Sequence, residues 1–324
     1  MAEDEMQAGT GLWRRTPPAI FPPVLGLLGL GLAWRRASEV FGIGAAPGEM
    51  LLGAATLLFL FTMAAYVTKL MRRPGVFADE LRILPGRAGL AAMTLSVFLF
   101  ALVLEPYSLG AARAVLAAGF AAHTVLALVI VRVFVTGPPE QRRVTPVWHL
   151  NFVGFIVGAL AAAPLGYPAL AEAILWVTLP LAALIGAESL RQFLHAGVPA
   201  PLRPLLAIHL SPVCLLGAVA LMVGQGALGA ALAWAGLGLA VLFLAGARWL
   251  TQAGFSPFWG AFTFPLAAFA GHMELMAGLA GGPWRILAGL ALVGATLAIL
   301  PIAWKVMQLW AKGRLAVQTN AAEA

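Results

Sequence analysis

The stretch Leu116-Ala-Ala-Gly-Phe-Ala-Ala-His-Thr-Val-Leu-Ala-Leu-Val-Ile-Val131 decides how the rest of the chain is read. It lies in an apolar run over 108–135 whose ionisable residues are Arg113, His123 and Arg132. About 20 mainly apolar residues are enough to cross the hydrocarbon core of a bilayer as a helix. Lipid offers backbone N–H and C=O groups no partner, so helix is the form such a run takes. Nine further runs of this kind flank it, at approximately 19–37, 49–71, 87–105, 147–167, 169–194, 204–223, 226–250, 257–278 and 284–311. The period-two alternation of a membrane barrel is absent. The expected fold is an all-α polytopic membrane protein of about ten transmembrane helices.

Composition points the same way. The 324 residues are 61% hydrophobic and 10% charged, against about 25% charged in a soluble domain. A globular core cannot hide so much apolar surface from water. The formal charge of +7 does not signal nucleic acid, because the basic residues sit in short clusters between apolar runs and form no stripe interleaved with aromatics. A lone cysteine, Cys214, excludes an intrachain disulfide, and no Cys/His metal spacing exists, so neither a metal nor a cofactor is expected.

The short connections carry turn signals, as in Arg73-Pro74-Gly75, Gly137-Pro138-Pro139 and Gly281-Gly282-Pro283. Ten runs in alternation place 16 of the 20 Lys and Arg residues on one face, among them Arg14, Arg15, Lys69, Arg72, Arg73, Arg142 and Arg143. The other face has only Arg35, Arg36, Arg113 and Arg285. The excess puts both termini in the cytoplasm. The expected organisation is a cytoplasmic segment 1–18, a membrane domain 19–311 and a cytoplasmic tail 312–324. The first run ends in Trp34-Arg35-Arg36 with no small-residue cleavage site, so it reads as a retained span and not a signal peptide.

The ten runs form five helical hairpins, and odd runs differ from even ones. Pro22 and Pro23 precede Gly26, Gly29 and Gly31 in the first; Pro146 opens the fifth; Pro212 lies in the seventh and Pro265 in the ninth. Proline removes a helical hydrogen bond and bends the axis. Such backbone is tolerated in a membrane where it is buried in protein or lines water. The pattern suggests an inner ring of five bent helices around a pore and an outer ring of five smoother ones. Packing kinks without a pore are the plainer reading of each proline.

Ionisable residues at depth mark ion or proton pathways. His123, near the middle of the fourth run, reads as a hydrogen-bonded structural histidine. Asn151, His209 and Ser211 lie where proline bends are expected; they either present donors to a pore or bond carbonyls freed by the prolines. His272-x-Glu274 alone is a weak metal pattern. No Asp or Lys falls in the middle of a run, and no acid, base and nucleophile converge, so the chain does not read as an enzyme or a proton-coupled carrier. In the aromatic segment Phe255–Phe269, Phe262 and Phe264 are two apart and point to different helix faces, so only one can face an axis. Either that ring plugs a narrow pore or it packs in the core.

Four stretches resemble a known family: Phe21-Pro-Pro-Val-Leu-Gly-Leu-Leu-Gly-Leu-Gly-Leu-Ala-Trp34, Val144-Thr-Pro-Val-Trp148, Leu202-Arg-Pro-Leu-Leu-Ala-Ile-His-Leu-Ser-Pro212 and Phe258-Trp-Gly-Ala-Phe-Thr-Phe-Pro-Leu-Ala-Ala268. The chain is similar to the tellurite-resistance and C4-dicarboxylate transporter family, which includes the slow-type anion channels. The resemblance implies a homotrimer in a bacterial inner membrane with one pore per subunit. It implies passage of small inorganic anions such as nitrate and chloride, with C4-dicarboxylate or tellurite transport as the alternative. It also implies a pore-occluding phenylalanine on the ninth span, best matched by Phe264 and second by Phe262. The ninth span departs from the family in Gly260, and the third lacks an internal proline.

Overall fold

The computed structural model describes residues 13–324, so most of the segment 1–18 lies outside the described residues. Helices occupy all ten expected runs: α1 (Pro18–Phe41), α2 (Ala46–Arg72), α3 (Leu84–Leu104), α4 (Leu109–Thr136), α5 (His149–Ala162), α6 (Pro168–Ala196), α7 (Ala200–Met222), α8 (Gly226–Ala245), α9 (Gly260–Ala280) and α10 (Pro283–Ala311). The described residues contain no strand. Eight of these helices are long and apolar enough to cross a bilayer. The two that are not are α5, which is too short, and α9, which has 21 residues but carries Pro265, His272 and Glu274.

Both exceptions belong to an inner ring. Around it, α1 packs on α3, α3 on α5, α5 on α7, α7 on α9, and α9 back on α1. Each odd helix also packs on the even helix that follows it, which gives five hairpins. Burial separates the two layers. About 67–72% of the most apolar stretch is buried in α1, α3 and α7, against 17–33% in α2, α4, α6, α8 and α10. A helix jacketed by others is not required to match lipid, so α5 and α9 tolerate polar residues and irregular backbone.

Each outer helix buries one stripe at spacings of three and four, such as Gly229, Ala233 and Gly236 in α8 or Ala288, Leu292, Ala295, Ile299 and Ile302 in α10. The 3.5-residue repeat is that of helices crossing at a shallow angle. Small residues in the stripe let backbones approach where lipid supplies no hydrophobic drive.

The bends take forms that a proline count does not convey. Pro22 and Pro23 sit in the first turn of the α-helical part of α1, where missing N–H groups cost nothing. Pro146 lies in the turn before α5, which opens with a π-helical turn, His149–Val153. Helix α7 is 3-10 from Ala200 to His209 and α-helical from Leu210, with Pro212 just past the junction. Pro265 is inside α9. The even helices are not free of internal proline: α6 contains Pro180 and α10 contains Pro301.

We call the end at which α1 begins basal and the other distal. At the basal end a short helix, Val76–Arg82, carries Glu80 into a fully buried ion pair with Lys69 of α2 at 2.6 Å. Lys69 also donates to the Thr16 carbonyl at 2.9 Å. Beyond α10 the chain forms a short helix, Arg314–Gln318, and turns back. The Ala324 amide donates to the Arg14 carbonyl, the Arg14 guanidinium to the Ala324 carbonyl, and Glu323 pairs with Arg15 at 2.8 Å.

Candidate functional site

The axis of the inner ring is an interrupted series of cavities. The distal one has a volume near 230 Å³ and takes wall residues from all five odd helices, including Leu32 and Arg36 of α1, Leu99 of α3, Leu160 of α5, Ala218 of α7 and His272 of α9. The basal one is near 50 Å³ and is lined by Pro22, Ala88, Leu150, Leu205, Ser211 and Phe258 among others, with Thr319 of the returning tail at its edge. A gap of about 10 Å³ lies between α3, α5 and α7. Among the described residues, Phe264 alone lines all three.

The local sequence explains how a ring reaches that point. Thr263, next to Phe264, seats its hydroxyl between the Pro22 carbonyl at 2.9 Å and the Gly260 carbonyl at 2.8 Å, which locks α9 to the start of α1. Gly29 faces the ring: a Cβ there would come within 3.3 Å of the Phe264 ring and 3.0 Å of Ala267 Cβ. Gly260 lets α9 close on α1, since a Cβ would meet Pro22 and Pro23 at 3.3 Å. Gly260 is therefore a packing residue at the basal end.

Phe262 points elsewhere. Its ring lies edge-on to Trp259 at 5.8 Å and lines none of the axial cavities. Pro22, Pro212 and Pro265 line axial cavities, Pro23 packs beside Gly260, and Pro146 stays in the turn before α5. Of the three polar residues, Ser211 lines the basal cavity and the gap. Asn151 is fully buried outside them, and neither of its amide atoms has a partner among the described residues. His209 faces outward. Its Nε2 is 2.8 Å from Ser189 Oγ of α6, and its Nδ1 is 2.9 Å from His149 Nε2 of α5. This chain of polar groups borders a lateral cleft of about 670 Å³ between α6, α7 and α8. His149 and His209 are 60 residues apart, and only the ring closure brings them together. His123 bonds Thr94 of α3 at 2.8 Å and packs against Phe155 and Phe98, as a structural histidine does.

Sequence reading missed the distal arginines. Arg35 forks onto Glu49 at 2.6 and 2.9 Å and donates to the Leu102 carbonyl at the end of α3. Arg113 donates to the Leu165 carbonyl after α5, and Arg285 to the Val40 carbonyl at the end of α1. Each closes the carbonyl end of a neighbouring inner helix, where cations are favoured. The visible signal is their position at or near the start or end of a run. Among the described residues, no group of three metal-ligating side chains converges.

The described residues thus form an all-helical membrane protein with a closed inner ring and cavities strung along its axis, an architecture suited to a channel or transporter. The sequence matches the voltage-dependent anion channel family (SLAC1) over residues 15–307, and the chain belongs to that family. No curated protein matches it. Membership makes this a multi-pass anion channel or transporter.

Proposed function

We propose that the chain is a passive channel for small monovalent anions, nitrate and chloride among them, with a conduit along the inner-ring axis closed by Phe264. The observation that supports this most directly is that one phenyl ring is the shared wall of the distal cavity, the basal cavity and the gap between them. Leu215 is shared by the distal cavity and the gap, and Leu150, Ile208 and Ser211 by the gap and the basal cavity, but only the Phe264 ring touches all three among the described residues.

The cavities suit a wet pathway. Stripping an anion of water in an apolar conduit costs tens of kcal/mol on simple solvation estimates, so a conducting pore stays hydrated. At about 30 Å³ per water, the distal 230 Å³ holds an anion with several waters, while the basal 50 Å³ holds one or two. The barrier therefore falls at Phe264 and just below it. Selectivity there follows ease of dehydration, with nitrate ahead of chloride. Among the described residues, the carboxylates lining the axial cavities are Glu39 and Glu105, both distal. Two histidines line the axis as well, His149 at the gap and His272 in the distal cavity, but neither bonds a carboxylate among the described residues, so no proton relay is built there and the arrangement favours passive flow.

The setting we propose is a bacterial inner membrane, with basal ends and both termini in the cytoplasm. The basal Arg and Lys clusters then raise the local anion concentration, an effect that salt screens. The subunits form a homotrimer, each with its own conduit. Planar-bilayer recordings in nitrate and chloride test the reading. Phe264→Ala is expected to raise the current about tenfold or more, nitrate exceeding chloride, because that ring is the wall common to all three cavities. Currents equal to those of the unaltered protein remove Phe264 as the gate. Uptake that vanishes when a pH gradient is collapsed at constant membrane potential makes the chain a coupled carrier of C4-dicarboxylates or tellurite instead.

A further inference from the structure

The four distal arginines are not equivalent. Arg35, Arg113 and Arg285 each donate to carbonyls at an inner-helix end, and Arg35 is also neutralised by Glu49. Arg36 makes no hydrogen bond among the described residues, is half-buried, and lines the 230 Å³ distal cavity. The charges that act on it are Glu274 of α9 and Glu39 of its own helix. Glu274 is fully buried, and neither carboxylate oxygen has a hydrogen-bond partner among the described residues. His272, fully buried beside the same cavity, has both ring nitrogens unpartnered. A guanidinium with five donors and no acceptor beside an orphan imidazole is an incomplete polar cluster.

We infer that the distal cavity is an anion-binding station built on Arg36, where a nitrate- or chloride-sized monovalent anion takes the guanidinium. A planar oxyanion matches the fork of the guanidinium. The arrangement makes binding weak by construction: Glu39 and Glu105 at the same cavity repel the anion. Conduction needs such a site, attractive enough to enter and weak enough to leave. This inference deepens the channel reading and rests on the distal cavity being part of the conduit.

The test uses the full chain and two readouts. In planar bilayers, with Phe264→Ala as the conducting parent and nitrate varied on the distal side, Arg36→Gln is expected to raise the half-saturating nitrate concentration about tenfold, the weight of one charge contact in a hydrated cavity. The saturating current stays near the parent's, Arg36→Lys falls between, and Glu39→Gln lowers the half-saturating concentration by removing a carboxylate that repels the anion at the cavity. In detergent, without the Phe264 change, nitrate replacing gluconate at constant ionic strength is expected to raise the unfolding temperature, and Arg36→Gln to abolish the rise. Superimposable nitrate curves for parent and Arg36→Gln, or a rise that survives Arg36→Gln, overturn the station. Should Arg36→Gln fail to fold, Glu39→Gln decides: unchanged half-saturation counts against the proposal. A silent Phe264→Ala combined with a nitrate effect lost in Arg36→Gln sinks the gate and leaves the station standing.

Discussion

The inner and outer rings are built from nearly the same residue types and behave as different materials. Inner helices α1, α3 and α7 bury 67–72% of their most apolar stretch, whereas outer helices bury 17–33%. An inner side chain meets protein on every face or a small cavity. An outer one meets protein along one stripe and lipid elsewhere. Lipid tails are as apolar as leucine, so the outer faces are tolerant and the stripe is not. Irregular backbone is confined accordingly. The π-helical turn of α5 and the ten-residue 3-10 start of α7 both lie in the inner ring, where neighbouring helices shield them from lipid.

That contrast is broken most sharply at the one place where an outer helix carries a fully buried charge. Lys69 of α2 and Glu80 are both inaccessible and 2.6 Å apart. Removing one partner leaves the other charge buried alone, so Lys69→Ala is expected to destabilise the protein by about 3–5 kcal/mol. Lys69→Ala combined with Glu80→Ala should recover much of that loss. Thermal unfolding of the purified protein measures both, and a single-variant effect below 1 kcal/mol would show that the pair is exchanged for water.

Next in size is a test of inner-ring tightness. The His272 ring packs directly on Gly217 of α7, where a Cβ would lie 2.1 Å from the imidazole Cε1. Gly217→Ala forces α7 and α9 apart and is expected to cost about 1–3 kcal/mol, as overpacking does. It should also alter the distal cavity, which His272 lines, and so change nitrate saturation. The matching outer change is Leu290→Ala in α10. Leu290 is 66% exposed and outside the buried stripe of its helix, so its effect should stay within about 0.5 kcal/mol. Equal effects at the two positions would erase the distinction between the rings.

The same contrast explains what the sequence could convey. The bilayer sets the length and apolarity of a span, so all ten runs were legible, including the short α5 and the polar α9. The ring closure was indicated only indirectly, by prolines in odd runs, and Pro180 and Pro301 show that proline alone does not sort the layers. The outer stripes are nearly invisible to hydropathy because both faces are apolar; small residues such as Gly229, Ala233 and Gly236 mark them instead. Helix geometry left Phe262 and Phe264 as alternatives, and tertiary packing assigns one ring to Trp259 and the other to the axis. The meeting of His149 with His209, and the solitary state of Arg36, depend on partners chosen by the fold and have no local signal.

The smallest expected effect lies where the returning tail meets the basal end of both rings. Glu323 pairs with Arg15, and Arg73 donates to its carbonyl at 2.6 Å. The hydrogen bond from Arg15 holds the Glu323 carboxyl below the usual carboxylate range, helped by the charges of Arg15, Arg14 and Lys69. A depressed acid pKa means that the docked tail binds the proton less readily than the free tail does. Docking is therefore fully supported above about pH 5 and weakens as pH falls through the ordinary carboxylate value, near 4.3, toward the lower docked one. Both partners are substantially exposed, so the pair contributes under about 1 kcal/mol, and Glu323→Gln should mimic the acid state at neutral pH. Because Thr319 lines the basal cavity, release of the tail should widen that mouth without touching Phe264. Hydrogen exchange of the amides from Thr319 to Ala324 reads the release directly. Exchange that is equally slow in Glu323→Gln at pH 7 would assign the docking to the backbone bonds of Ala324 and leave the ion pair without a role.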